Sequence, residues 1–347
     1  MSPELIAPIM FGTLVVVLLA GFPVAFSLAA VAAVFGITGV LVGQFTAPFL
    51  LNMPLRVQGV FNSDNFLAIP MFVLMGLILE RTGIAEDTLI ALGRLFRKQP
   101  GGLLVATLAL GSMLSAITGF VSASVITMGL IALPTMLKAG YDPKLATGSI
   151  AAAGTLAQML PPSLVLIVLA EQVEVPLVEI FHAALLPSAM LVGLYLVYVV
   201  SIARWRPGFA PPMAEVAAVS SNAWKEAAVA AGVPMLLILT ILTAIFFGVA
   251  TPTEGGAVGV CASLLIGLAK RRLGRQQLAD ALTNTGVLCS SVIFLLLGAS
   301  FFTLVFRGFD GQVWIEQLFG HLPQGQLPFL LFVCIGIFLL GFFLDFF

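Results

Sequence analysis

The sequence predicts an all-α, polytopic membrane protein built from inverted repeats with re-entrant helical hairpins. Three observations lead there: the composition, the series of apolar stretches and the placement of basic residues. Of the residues, 60% are hydrophobic and only 9% charged, against about 25% charged in a typical soluble domain. So few charges cannot cover a water-facing surface. The formal net charge is −1, with no basic domain and no interleaved aromatic and basic patch, so nucleic-acid binding is excluded. Cys261, Cys289 and Cys334 lie far apart inside apolar stretches, without zinc-type spacing. The histidines, His182 and His321, fall at or near span ends, where interfacial placement accounts for them.

Apolar segments run over 5–20, 22–42, 66–80, 102–137, 145–170, 180–203, 226–248, 255–269, 286–306 and 328–347. A hydrocarbon core of about 30 Å takes roughly 20 helical residues to cross, and most of these segments approach that length. The first has no positively charged leader before it, so it reads as a retained span rather than a cleaved signal. Segment 204–225 is the longest polar connection.

Lys and Arg favour cytoplasmic loops. Placing connections 81–98, 138–144, 204–225 and 270–280 inside puts all 15 basic residues except Arg56 and Arg307 on that side. The acidic stretch 171–179 then lies outside. This orientation makes 102–137 enter and leave on one side. A straight helix over those residues would extend about 54 Å at 1.5 Å per residue. Its centre is small and polar: Ser112, Ser115, Thr118, Gly119, Ser122, Ser124 and Thr127. It is expected to be a re-entrant hairpin with its tip at Thr118–Ser122, facing a cavity, because non-helical backbone at membrane depth needs protein or a water-lined space beside it. The competing reading, one long tilted helix with small residues for packing, would put the flanking basic loops on opposite sides.

The two halves share weak similarities in the same order. Phe72-Val-Leu-Met-Gly76 resembles Phe294-Leu-Leu-Leu-Gly298, and Gly21-Phe-Pro matches the position of Ala250-Thr-Pro. Segment 66–80 runs inward and 286–306 outward, so the repeats are inverted, as in many secondary transporters. The expected organisation is a first repeat over 1–203, with hairpin 102–137 and broken helix 145–170, a cytoplasmic linker over 204–225, and a second repeat over 226–347. The second repeat is expected to be cut short within its own hairpin, near Asp345.

The expected helix break lies in Ala151-Ala-Ala-Gly154-Thr155-Leu-Ala-Gln158-Met-Leu-Pro161-Pro162-Ser163. Two prolines remove backbone donors and obstruct preceding carbonyls, and Gly154 is expected to loosen the same region. Free carbonyls there, with oxygens of Thr155 and Gln158, suit Na⁺. Together with Thr118, Gly119 and Ser122 they form the candidate cation site. A kink that serves only packing is the alternative. Asp345 is a lone carboxylate in a very apolar run, and such residues are functional by default. Glu254, after Thr251-Pro-Thr, suits a helix cap. Glu80-Arg81 and Glu86-Asp87 read as solvated loop charges. No Lys or Arg sits inside a span, so an anionic solute would have to be held by helix N-termini and bound cations. No deep histidine or paired carboxylate supports catalysis, so no enzyme is expected. The alternative to a transporter is a non-transporting membrane scaffold or assembly subunit.

Several blocks resemble a known family: Ile69 to Glu86, Gly140-Tyr-Asp-Pro, Gly154 to Ser163, Ala250-Thr-Pro-Thr-Glu-Gly-Gly-Ala and Gly341-Phe-Phe-Leu-Asp-Phe-Phe. They resemble the large membrane (DctM-type) subunit of tripartite ATP-independent periplasmic (TRAP) transporters, over nearly the whole chain. Phe309-Asp-Gly and Phe343-Leu-Asp-Phe-Phe resemble the mannitol or chloroaromatic branch. The resemblance implies a Na⁺-driven elevator-type importer in the bacterial inner membrane, with Na⁺ as coupling ion and no other cofactor. It implies a lipid bilayer around it, a small DctQ-type membrane partner, and a periplasmic binding protein that delivers an organic acid. It also implies that Thr118 to Ser124 and the Gly154–Pro162 break share one Na⁺ site, with Asp345 in the second hairpin, whose later Pro-Pro break does not occur in this sequence.

Overall fold

The computed structural model describes residues 5–96, 98–118, 121–212, 223–320 and 325–342, with side chains for all but 64–65, 115–118, 122–123 and 223. Among the described residues every regular element is helical. In chain order the α-helices are α1 (Ile6–Leu19), α2 (Val24–Leu41), α3 (Ala47–Leu50), α4 (Asn52–Asn62), α5 (Asp64–Arg81), α6 (Ile84–Phe96), α7 (Gly102–Thr118), α8 (Val121–Lys138), α9 (Pro143–Thr155), α10 (Leu164–Val173), α11 (Leu177–Trp205), α12 (Ala223–Phe246), α13 (Pro252–Ala269), α14 (Arg275–Gly308), α15 (Gly311–Gly320) and α16 (Gln326–Leu340). Five of them, α2, α11, α12 (from Trp224), α13 and α14, are long and apolar enough to cross a membrane. The chain is a multi-pass membrane protein.

Two compact units divide the chain, residues 1–63 with 287–347, and residues 64–286. In the first, Met10 and Leu14 of α1 pack with Val31 and Ala32 of α2 and with Phe302, Val305 and Phe306 of α14. Gly39 and Gly308 admit the Phe45 ring, which a side chain at either position would meet. The boundaries fall after Ser63 and within α14.

The second unit holds the hairpin and the broken helix. In it α5 packs along the length of α13. Gly255, Gly259, Ser263 and Gly267 recur every four residues on α13 and are buried. A Cβ at Gly256 would lie 2.7 Å from Met71 Cβ, and one at Gly259 2.5 Å from Met75 Sδ. Small residues let two backbones approach closely, the usual basis of helix association in lipid. Thr251 caps α13. Glu254 N donates to Thr251 Oγ1 at 3.3 Å and Thr251 N to Glu254 Oε2 at 2.8 Å, a reciprocal capping box that fulfils the cap expected for Glu254.

Several expectations change. Segment 286–306 belongs to a 34-residue helix, α14, which begins at Arg275. The polar stretch 275–285 reads as a loop by polarity, yet Gln, Leu, Ala and Asp continue a helix into water, and Gly274 N donates to Gln277 Oε1 at 2.9 Å at its start. The acidic stretch 171–179 is mostly two helix ends, with only Glu174–Pro176 between α10 and α11. The amphipathic α4 had no counterpart among the apolar segments. Residues 206–210, within the expected linker, form a packed turn rather than a tether: Gly101 N donates to Ala210 O and Asp142 N to Phe209 O, both at 2.9 Å.

The charges expected to be solvated are mostly engaged. Asp87 accepts from Lys270 Nζ at 2.9 Å and from Arg272 Nη1 at 2.9 and 3.0 Å. Arg81 pairs with Asp280 at 3.8 Å and Arg94 with Glu226 at 3.3 Å. Glu80 accepts from Thr127 Oγ1 of α8 at 2.8 Å. Glu86 is exposed, as expected.

Candidate functional site

The site begins with the reversal of α7 into α8. Leu103 N, at the start of α7, donates to the Tyr141 hydroxyl, just past the end of α8, at 3.3 Å. The two ends of the 102–138 stretch are therefore neighbours, which a single straight helix forbids. The arms of 17 and 18 residues are about 25–27 Å long at 1.5 Å per residue, short of a full crossing.

Local chemistry makes this closure. Gly140 takes φ +80°. Gly140 N donates to Leu137 O and Tyr141 N to Met136 O, both at 3.1 Å, the paired bonds of a glycine-terminated helix. Asp142 Oδ1 then accepts from Lys144 N at 2.9 Å and Leu145 N at 3.1 Å, capping α9. Pro143 occupies the first helical position, where no N–H is missed. The Gly140-Tyr-Asp-Pro block thus divides its work by residue. Gly140 stops α8, Tyr141 locks the hairpin base, and Asp142 with Pro143 starts α9.

The end of α9 inserts between the hairpin arms. A Cβ at Gly111 of α7 would lie 2.6 Å from Ala153 Cβ, and one at Gly154 would strike the Val125 side chain of α8. Gly111 and Val125 would stand about 21 Å apart on a straight helix, yet they touch consecutive residues of α9. Gly154 thus belongs to an intact, buried helical turn. Its expected loosening role is replaced by close packing.

The break itself runs from Thr155 through a 3₁₀ turn, Leu156–Gln158, to Ser163, with a cis Pro161–Pro162 peptide. Two carbonyls expected to be free have partners. Ser163 Oγ donates to Gln158 O at 2.9 Å, and Ser188 Oγ of α11 lies 2.7 Å from Met159 O. Ser163 Oγ also accepts from Val165 N at 3.2 Å, capping α10. A carbonyl retains a second lone pair, so neither bond bars a cation.

Of the candidate site residues, Gly154, Pro161 and Pro162 are buried, Gln158 is half-buried and Thr155 is exposed. Thr155 Oγ1 donates to Ala152 O at 2.8 Å, leaving its lone pairs open to a cation. Ser124 of α8 is buried. Ser115 and Thr118 stand in α7 and Ser122 in α8, but their side chains, and Gly119 and Asp345 altogether, lie outside the described residues. So do His321 and the cavity expected at the tip. His182 stacks on Phe246, with ring centroids 4.2 Å apart. Glu80, hydrogen-bonded to the hairpin through Thr127, is the charged neighbour that sequence reasoning missed. Its place in the last turn of an apolar helix was the signal that could have found it.

The 3₁₀ turn packs against both α7 and α8, and the C-termini of α7 and α9 belong to these two interruptions. Helix C-termini favour cations, and the N-termini of α8 and α10, in the same interruptions, favour anions. Among the described residues no cluster of His, Cys, Asp or Glu could hold a metal. A cation here would rest on carbonyl, hydroxyl and amide oxygens.

An interrupted helix is thus seated against a helical hairpin inside a multi-pass membrane protein, an arrangement suited to a transport protein. The chain belongs to the family described as tripartite ATP-independent periplasmic transporter, DctM component, which residues 11–347 match. It is thus a TRAP transporter permease subunit. It is similar to a C4-dicarboxylate TRAP transporter large permease protein DctM of Pseudomonas aeruginosa, at 27% identity over 89% of this chain and 72% of the relative. An ectoine TRAP transporter large permease protein TeaC of Halomonas elongata is 26% identical over 97% of this chain and 77% of its own length. An isethionate TRAP transporter permease protein DctMQ of Oleidesulfovibrio alaskensis is 25% identical over 97% of this chain and 52% of its own length.

Proposed function

We propose that this subunit imports a small organic acid across the bacterial inner membrane, driven by Na⁺. The observation that carries the reading is the insertion of α9 between the hairpin arms at Gly111 and Val125, which sets two interrupted elements side by side. Thr118, Gly119 and Ser122 of the hairpin and Gly154, Thr155 and Gln158 of the break supply the Na⁺ ligands. Asp345 belongs to a second, inverted element of the same kind. Helix N-termini at α8 and α10 hold the solute's carboxylate, since Lys and Arg stand only near the ends of the helices long enough to span, as Arg204, Arg275 and Arg307 do. A small DctQ-type membrane subunit and a periplasmic binding protein complete the system. Three relatives carry different cargo names, C4-dicarboxylate, ectoine and isethionate, which supports the reading that much of the selection sits in the binding protein. The transport cycle is of the elevator type.

One Na⁺ moving inward across 100 mV supplies about 2.3 kcal/mol, so two suffice for modest uphill uptake. The test is uptake into proteoliposomes holding the protein with its membrane partner and binding protein. Uptake is expected to require inward Na⁺. Thr155→Ala, which removes an exposed oxygen ligand without opening the core, should raise the Na⁺ concentration for half-maximal uptake about tenfold, the equivalent of roughly 1.4 kcal/mol of lost coordination. Equal uptake with K⁺ replacing Na⁺ on both sides would refute the coupling.

A further inference from the structure

A cavity of about 640 Å³ lies between α7, α9, α11 and the Pro207–Phe209 turn, and none of the residues of the break, 155–163, lines it. Its volume falls in the usual range of about 300–1,000 Å³ for ligand pockets. One end, the mouth, is marked by Asp142 and Phe209, whose backbones are joined by a 2.9 Å hydrogen bond. From there the cavity runs to Ala152 and Leu194, about 15 Å along α9 at 1.5 Å per residue.

The walls are chiefly apolar, but Ser149, Tyr195 and Tyr198 also line them. Among the described residues the hydroxyls of these three have no hydrogen-bond partner. The mouth is basic. Lys144 lines it. The Arg206 guanidinium sits 5.5 Å over the Phe209 ring, itself part of the wall, and Arg204 precedes it in the last turn of α11. Among the described residues none of these three cations enters an ion pair. The one acid at the mouth, Asp142, is engaged in capping α9. Trp205, 84% exposed, ends α11 between the two arginines, the mark of a helix end at the headgroup level. Leu194, Val197 and Tyr198 are exposed on the same helix, so the cavity wall continues into a face suited to lipid.

We infer that this cavity holds an acyl chain of an anionic phospholipid, with Lys144 and Arg206 on its phosphate and the wall hydroxyls on its ester oxygens. An apolar slot, hydroxyls along it and unpaired cations at its mouth match the chemistry of that amphiphile. Basic pockets between helices on the cytoplasmic side recognise anionic headgroups. The inference rests on the chain being embedded in a bilayer, and stands apart from Na⁺ coupling.

The test is native mass spectrometry of the delipidated full chain, titrated with dioleoyl phosphatidylglycerol or with dioleoyl phosphatidylcholine. The phosphatidylglycerol should give one tight adduct, bound roughly fivefold tighter per engaged cation than the phosphatidylcholine. Lys144→Ala with Arg206→Ala should erase that preference. Gly148 lines the cavity, and a Cβ there meets nothing within 4 Å. Gly148→Leu therefore fills the slot, favours the helix, and should keep the thermal midpoint while losing the adduct of both lipids. Should it lower the midpoint, Ala152→Leu on the same wall takes its place. Equal binding of the two lipids, a preference that survives the double substitution, or a filled slot that still binds would each overturn the assignment.

Discussion

A methyl group added at Gly154 would collide with the Val125 side chain and come within 3.2 Å of the Val125 backbone. Gly154→Ala should therefore cost about 1–3 kcal/mol, the usual effect of overpacking a close helix contact. Val125→Ala should return part of that loss and not all, because trimming the side chain leaves the α8 backbone where it is. Thermal midpoints of the two single variants and the double variant in detergent measure this. An additive pair would place the strain elsewhere. The same residue shows what the sequence could convey. Pro161 and Pro162 lack N–H groups, so a break near them was readable directly. Gly154 read as loosening, because a glycine near prolines is consistent with both slack and close approach, and only its partner on α8 decides between them. Glu80 and Asp87 read as solvated for a similar reason. Their partners, Thr127 and the Lys270–Arg272 pair, are distant in sequence.

At the level of elements, spans and reversals were readable, and ends were not. The apolar segments correspond to α1, α2, α5, α7–α8, α9–α10, α11, α12, α13, α14 and α16, because about 20 apolar residues leave little alternative in lipid. Helix ends that project into water carry no hydropathy signal, so α14 began eleven residues earlier than expected. Ties between elements were equally invisible. The α5–α6 turn is bound to the α13–α14 turn through Asp87. Burial alone would raise the Asp87 pKa, but the hydrogen bonds and charges of Lys270 and Arg272 outweigh it and hold the carboxyl below its ordinary value. The sign follows: a depressed folded pKa gives stability that is present above the unfolded value, about 3.9, and lost as pH falls through the lower folded value. Asp87→Asn should cost about 1 kcal/mol at neutral pH, the scale of a partly exposed ion-pair cluster. It should also flatten the decline of the thermal midpoint below pH 4. An unchanged acid decline in Asp87→Asn would assign that decline to other carboxylates.

On the scale of the whole molecule, the charge bias and the hydrogen bonds make one argument about sidedness. The four connections assigned to the inside by their Lys and Arg, together with the residues that border them, are joined to one another within the 64–286 unit. Gly101 bonds to Ala210 and Asp142 to Phe209, Lys270 and Arg272 to Asp87, and Arg94 to Glu226. Loops tied this directly cannot lie on opposite faces of a membrane about 30 Å thick. If one is cytoplasmic, all are, and the hairpin must enter and leave on that side. Single cysteines at Lys138 and Arg275, in a chain with Cys261, Cys289 and Cys334 replaced by alanine, should react with a membrane-impermeant maleimide only in inside-out vesicles. A cysteine at Gln172, in the last turn of α10, should react only in right-side-out vesicles. Opposite labelling of Lys138→Cys and Arg275→Cys would make 102–138 cross the membrane completely, and would remove the two-interruption site with it. Labelling of both from outside would keep the hairpin and invert the protein, which the clustering of basic residues on that face opposes, since moving them across is what the positive-inside bias resists.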